Sequence, residues 1–191
     1  MTVSYIPVVI GKALSISGTG CRVDYPNLSS LIKWTNGFTI CGWFNASNTT
    51  VNNGCLWNLY KAGAPEKAMR IFNDGGVLSL QFLGTAEPKL TFLIPANDWL
   101  FFDLTIDDLG NVRMRANKGV IGNAIDIGES LPTDETDYGF CMAEGFPGTG
   151  FSLNRFNVGV LGRHRIYNEA KDTAFLDDIF DSEQGRYILV P

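Results

Sequence analysis

The chain has 191 residues, 45% hydrophobic and 18% charged, which is apolar enough for one core and too apolar for a disordered polymer. Lys+Arg 15 against Asp+Glu 20 gives a formal net charge of −5 with no basic run, which argues against nucleic-acid binding because phosphate contacts need clustered cations. Gly 21 and Phe 13, with few Ala-rich or Glu/Lys-rich stretches, favour an all-β domain with many turns.

At the N-terminus, Met1 to Gly11 lacks a basic start and Pro7 interrupts its apolar run, so no secretory leader is expected. No window approaches the ~18 consecutive apolar residues of a membrane helix. The expected product is soluble, made in a cytoplasm or matured from a longer precursor, with no membrane partner. Leu28 to Trp34 reads as a short helical turn. From Phe38 to Phe44 the pattern alternates: Phe38, Ile40, Gly42 and Phe44 on one face, Thr39, Cys41 and Trp43 on the other. Leu78, Leu80 and Phe82 share a face opposite Ser79 and Gln81. Leu100, Phe102, Leu104 and Ile106 point inward while Asp103, Thr105 and Asp107 point outward, and Val112, Met114 and Ala116 oppose Arg113, Arg115 and Asn117.

Turn chemistry separates these runs: Asn73-Asp-Gly-Gly, Asp108-Leu-Gly-Asn and Asn117-Lys-Gly supply residues that tolerate positive φ. On the strand Val158 to Ile166, His164 has the parity of Val158, Val160 and Ile166, which predicts a buried or partly buried structural histidine. Asp172 is an N-cap candidate, and Phe175, Leu176, Ile179 and Phe180 form one apolar helical stripe. Period-two alternation closed by one helix predicts antiparallel sheets, each with a buried face, as one domain over residues 1–191.

Several blocks carry a family likeness. Gly11-Lys-Ala-Leu-Ser-Ile-Ser-Gly-Thr-Gly with Val23-Asp-Tyr-Pro, then Phe38-Thr-Ile-Cys-Gly-Trp-Phe, resemble the opening of concanavalin A-like, laminin-G-type jelly rolls. Trp99 with its strand, Asp108-Leu-Gly-Asn and Val112 to Gly119 resemble that family's Trp-led hairpin. Arg165-Ile-Tyr-Asn-Glu-Ala and the acidic helix after it resemble its closing strand and helix. The resemblance implies an all-β, antiparallel jelly-roll β-sandwich (concanavalin A-like) with one short C-terminal helix. It spans most of the chain but departs from the family pattern between about Thr133 and Phe151 and at the Asn117-Lys-Gly turn. Because this superfold hosts lectins, hydrolases, adhesion modules and viral proteins, it implies no single activity.

The candidate chemistry is sparse. Retaining glucanases of the superfold carry Glu-x-Asp-x-x-Glu on one strand; here Ala124-Ile-Asp-Ile-Gly-Glu keeps Asp126 and Glu129 but has Ala124 in the first position, which argues against hydrolysis. A single histidine, no Gly-x-Ser-x-Gly elbow and no phosphate loop argue against the usual catalytic arrangements. Cys21, Cys41, Cys55 and Cys141 have no CxxC spacing, so a structural zinc site is not expected; cytosolic synthesis favours free thiols, though four cysteines allow three pairings. Asp107, Asp108 and Asn111, with Asp103, could gather around a hairpin as oxygen ligands for calcium, or simply form a solvated turn. Trp43, Trp57, Tyr60, Arg70, Arg113, Arg115 and Asn117 are the candidate ligand contacts, by stacking on sugar rings and hydrogen bonding hydroxyls or carboxylates; the alternative is core tryptophans and a wet arginine face.

A non-catalytic binding or structural module is the expected function. A free-standing domain of this superfold without a leader resembles virion accessory proteins, capsid-decorating or tail-associated, which would engage a glycan or a structural protein and self-associate. Tyr187-Ile-Leu-Val-Pro could serve as a strand added to a neighbouring chain or as the last strand of its own sheet. The competing expectations are a glycan hydrolase or lyase, and a secreted, extracellular lectin or adhesion domain using the sequons at Asn27, Asn45 and Asn48.

Overall fold

The computed structural model describes residues 2–7, 12–17, 23–25, 36–46, 54–61, 69–74, 76–82, 90–93, 98–124, 138–142 and 159–187. In chain order these form β1 (Thr2–Pro7), β2 (Lys12–Ser17), β3 (Val23–Tyr25), β4 (Phe38–Ala46), β5 (Gly54–Lys61), β6 (Met69–Asp74), β7 (Val77–Phe82) and β8 (Leu90–Leu93). There follow β9 (Trp99–Ile106), β10 (Val112–Ala116), β11 (Gly119–Ala124), β12 (Tyr138–Met142), β13 (Gly159–Tyr167) and α1 (Thr173–Tyr187). No helix among the described residues is long and apolar enough to cross a membrane.

The strands make two sheets. A 7-stranded sheet runs β1-β2-β13-β4-β9-β10-β11 and a 6-stranded sheet runs β3-β12-β5-β6-β7-β8. Neighbouring strands pair antiparallel throughout, from β1 with β2 to β7 with β8. The protein is therefore an all-β sandwich with one C-terminal helix, the architecture that the alternating pattern predicts. Glycine and asparagine turn the hairpins: Gly110 (φ 84) closes β9–β10, and Asn117 and Lys118 (φ 47 and 66) are the paired left-handed residues that match the twist of β10–β11. Asn117 fixes its turn by accepting a hydrogen bond from the Phe101 amide at 2.9 Å.

The main core lies between the sheets. Phe38, Ile40, Phe44, Leu100, Phe102, Leu104, Ile106, Val112 and Met114 come from the larger sheet. They face Trp57, Leu59, Ile71, Leu78 and Leu80 of the smaller one, and the Trp57 and Phe102 rings meet across the gap at 5.3 Å. A second apolar layer occupies the opposite face of the larger sheet, where Cys41, Trp43 and Phe101 pack against Leu176, Phe180 and Tyr187 of α1. Strands β4 and β9 are thus covered on both sides, and every residue from Phe38 to Phe44 is buried.

Two details depart from the expectations. The buried helical stripe is Leu176, Phe180, Glu183 and Tyr187; Phe175 instead lies at the helix edge, ring to ring with Tyr167 at 5.3 Å. Tyr187 ends the helix and is no strand residue, because its ring stacks on Trp43 at 4.7 Å and its hydroxyl accepts the Arg163 amide at 3.0 Å. Residues 188–191 and the Leu28–Trp34 turn lie outside the described residues.

Candidate functional site

On the face of the larger sheet that α1 covers, the polar positions do structural work. Asp172 caps the helix, its Oδ1 accepting the Phe175 amide at 2.8 Å. Glu183, buried on the apolar stripe, accepts hydrogen bonds from the Trp43 indole (3.1 Å), from Arg163 (2.9 Å) and from both terminal nitrogens of Arg165 (3.2 and 2.5 Å). Burial alone would raise its carboxyl, but the bonds and charges of Arg165 and Arg163 together hold it below the usual carboxylate value. Trp43 is 0% exposed, with its ring enclosed by Phe101, Phe180 and Tyr187, so no sugar can stack on it.

Arg113 and Arg115 are likewise not a recognition stripe. Arg115 is buried, grips both oxygens of Asp103 (3.2 and 3.1 Å from Nε) and reaches Asp177 of α1 at 2.8 Å. Burial pushes the Asp103 carboxyl above its ordinary value, a rise that the guanidinium of Arg115 counters only in part. Arg113 spans from Thr105 Oγ1 (3.3 Å) to the carbonyl of Lys171 (2.8 Å). Thr39 Oγ1 donates to the Glu169 carbonyl at 3.0 Å and accepts the Lys171 amide at 2.8 Å, which fastens the segment leading into the helix. The face that the sequence marks as outward is outward from the sandwich, yet the helix and its lead-in close it off from water. Asn117 is exposed but spends its side-chain oxygen on its own turn.

The proposed calcium ligands also serve a turn. Asp107 Oδ1 accepts the amides of Leu109 (2.9 Å) and Asn111 (2.8 Å), and Oδ2 accepts the Asn111 side-chain amide at 2.7 Å. Its slight burial would raise the carboxyl, but these bonds outweigh that and hold it below the ordinary value. Asp108 is exposed and Asp103 is committed to Arg115, so the four do not converge; among the described residues no group of three His, Cys, Asp or Glu could hold a metal.

The other polar face is that of the smaller sheet that points away from the larger one. Trp57, Leu59 and Ile71 point into the core, so alternation turns Asn58 and its register partner Arg70 to the far side. Ser79 and Thr91, paired in register between β7 and β8, lie on that side too. Asn58, Arg70 and Ser79 are buried (0%, 8% and 3% exposed), whereas Thr91 and Leu93 on the edge strand are exposed. The middle of this face is therefore covered, and among the described residues only its edge strand is open to water. Neither the side-chain oxygen nor the nitrogen of Asn58 has a hydrogen-bond partner. Trp57 faces the opposite way, edge-on to His164, and is a core residue. Tyr60 lies opposite Gly139 in register, and its side chain is outside the described residues.

His164 points into the sandwich, and burial pushes its imidazole down to about 4. Leu161 shares its buried face, because an irregularity in the β13–β4 pairing shifts the parity. Cys41 is free and buried, its thiol pushed up to about 12 by burial. Cys21, Asn27, Asn48, Asp126 and Glu129 lie outside the described residues, as do the side chains of Cys55 and Cys141.

Asn58 and Glu183 escaped the sequence reading, although each left a signal. Asn58 sits between Trp57 and Leu59 in a strand that alternation would parse, and Glu183 falls at helical spacing from Phe180 and Tyr187.

No protein-family model matches the chain, and no curated protein matches it in sequence. Solved structures do match in fold. Domain 4 of an extracellular arabinanase from Geobacillus stearothermophilus, solved with arabinotriose, is 17% identical with TM-score 0.72, covering 94% of this chain and 81% of that one. A heptameric pentraxin from Limulus polyphemus is 13% identical with TM-score 0.64, covering 86% and 79%. The binding domain of botulinum neurotoxin DC, in complex with rat synaptotagmin II, is 13% identical with TM-score 0.67, covering 95% of this chain and 45% of that one. The chain thus shares its β-sandwich fold with these proteins.

Proposed function

We propose that this protein is a non-catalytic binding module that engages a glycan or a protein surface through the far side of the smaller sheet, and that it serves as a virion accessory subunit, capsid-decorating or tail-associated. The observation that carries the binding site is the edge strand β8, where Thr91 and Leu93 are exposed, Leu93 at 74%. Ser79, buried on β7, lies in register with Thr91, so a covered polar position backs this open edge. The fold relatives support the reading, one having been solved with an oligosaccharide and another with a protein receptor.

The non-catalytic part rests on the carboxylates and the histidine. Asp103 and Glu183 are each held by arginines, and the imidazole Nε2 is buried without a partner. The acidic balance and the lack of a basic run leave nucleic acid out as a partner. The Leu93→Asp variant tests the site. It is expected to melt as the wild type does, because the side chain is exposed, while binding on a glycan array or to assembled particles is lost. A variant that melts lower and binds as before overturns the site. Sedimentation of the native protein with a particle, or as a homo-oligomer, is the expected result for the accessory role; a strict monomer with no particle association and measurable polysaccharide turnover would sink it.

A further inference from the structure

The single histidine of the chain turns its ring into the space between the two sheets. Between Leu161, opposite Phe44, and His164, opposite Gly42, β13 advances three residues while β4 advances two. This bulge turns His164 toward the smaller sheet. The ring then fits only because residue 42 lacks a side chain: a Cβ there would stand 2.4 Å from the imidazole Cδ2 and 2.8 Å from Nε2. On its far side the ring meets the edge of Trp57, with centroids 5.7 Å apart and planes at 88°. The histidine therefore bridges the two layers of the sandwich.

Its hydrogen bonding fixes one protonation state. Nδ1 lies 3.2 Å from the Gly162 carbonyl, which can only accept, so Nδ1 carries the proton and Nε2 is the bare nitrogen. Nε2 is buried and has no hydrogen-bond partner. A second proton would create a donor without an acceptor and, among the described residues, a cation without a counter-charge. The neighbours on β13, Arg163 and Arg165, are both cationic, and the charge of Arg165 works against protonation. On β4 the residue opposite is Gly42, on β5 the contact is Trp57, and on β9 the residue in register with Gly42 is Phe102. The buried acids of the larger sheet and α1, Asp103 and Glu183, sit on the other face and are bound to Arg115 and to Arg163 and Arg165.

We propose that His164, wedged between Gly42 and Trp57, is an acid-sensitive latch that holds the two sheets together at neutral pH and releases its grip when protonated. The sign follows from linkage. The unfolded imidazole titrates near its ordinary 6.5 and the folded one near 4, so the stabilisation is complete above 6.5 and is lost as the pH falls toward 4. Across that window the unfolding equilibrium constant should rise through this one group by up to about 300-fold.

Because there is only one histidine, the Hε1 and Cε1 resonances of the imidazole report its titration without ambiguity. The same pH series should be run as thermal melts on the wild type and on His164→Phe, a flat ring that cannot titrate. The expected result is an imidazole that stays neutral to below pH 5 in the folded protein, and a wild-type melting temperature that falls relative to the variant between pH 6.5 and 4. A folded-state titration at pH 6 to 7, or melting curves that stay parallel, overturns the proposal. Should His164→Phe fail to fold, the resonance titration of the wild type decides alone.

Discussion

Glu183 carries more of the second apolar layer than any other single polar residue. An acid on an apolar helical stripe is costly unless its charge is matched, and here two guanidiniums and an indole match it. Replacing it by Ala would strand Arg165 beside Trp43 and leave the indole nitrogen without its acceptor. Arg163 is half exposed and would relax into water, so the loss should fall near 2 kcal/mol, below that of a fully buried pair. The Glu183→Ala variant should therefore show a lower urea midpoint at neutral pH. The carboxyl sits below its ordinary value, so its stabilisation exists above the unfolded pKa of about 4.5 and fades as the pH drops through the folded one. The gap between variant and wild type should accordingly narrow in strong acid, and a gap that is constant with pH would show that packing, not charge, is what the glutamate supplies.

At the scale of elements, the helix and β13 approach as closely as they do because residue 162 is glycine. A Cβ there would stand 2.7 Å from Trp43 Cβ and 2.8 Å from the Tyr187 ring. The Gly162→Ala variant should lose roughly 1–3 kcal/mol, the usual range for overpacking. Pairing it with Tyr187→Ala should recover part of the loss, and strictly additive costs in chemical denaturation would show that the ring is not the obstacle. These elements also show what the sequence could and could not display. Period two marked the strands and their buried faces, and Asp172 marked the helix start, because both signals are local. The role of the far face of β9 and β10 was hidden. Alternation gives the same pattern whether Asp103, Thr105, Arg113 and Arg115 meet water or meet a helix some 60 residues away in the chain. The hint lay in Cys41, Trp43 and Phe101, three bulky or apolar residues on a nominally polar face. The bulge before His164 was invisible for a similar reason: it is set by pairing with β4, not by the sequence of β13 alone.

Over the whole molecule the two apolar layers are coupled, since β4 and β9 form the floor of one and the wall of the other. Leu176, Phe180 and Tyr187 from the helix, with Trp43 and Phe101 beneath them, are worth roughly 1.5–3 kcal/mol each when buried. Together that is comparable with the roughly 5–15 kcal/mol by which a domain is stable at all. The helix is thus as necessary to the sandwich as any strand. Its loss would also open to water the buried Asp103–Arg115 pair and the row from Thr39 to Trp43. Deleting residues 173–191 should give a chain that binds a hydrophobic dye, loses its cooperative melt and aggregates at micromolar concentration. A synthetic peptide of Lys171–Tyr187 added during refolding should restore a cooperative melt, because the interface is formed by side chains rather than by a shared strand. If the truncated chain instead melts as a monomer at the wild-type temperature, the larger sheet needs no cover, and the ion pairs between Arg115, Arg163, Arg165 and α1 are ornaments of a fold that the strands hold unaided.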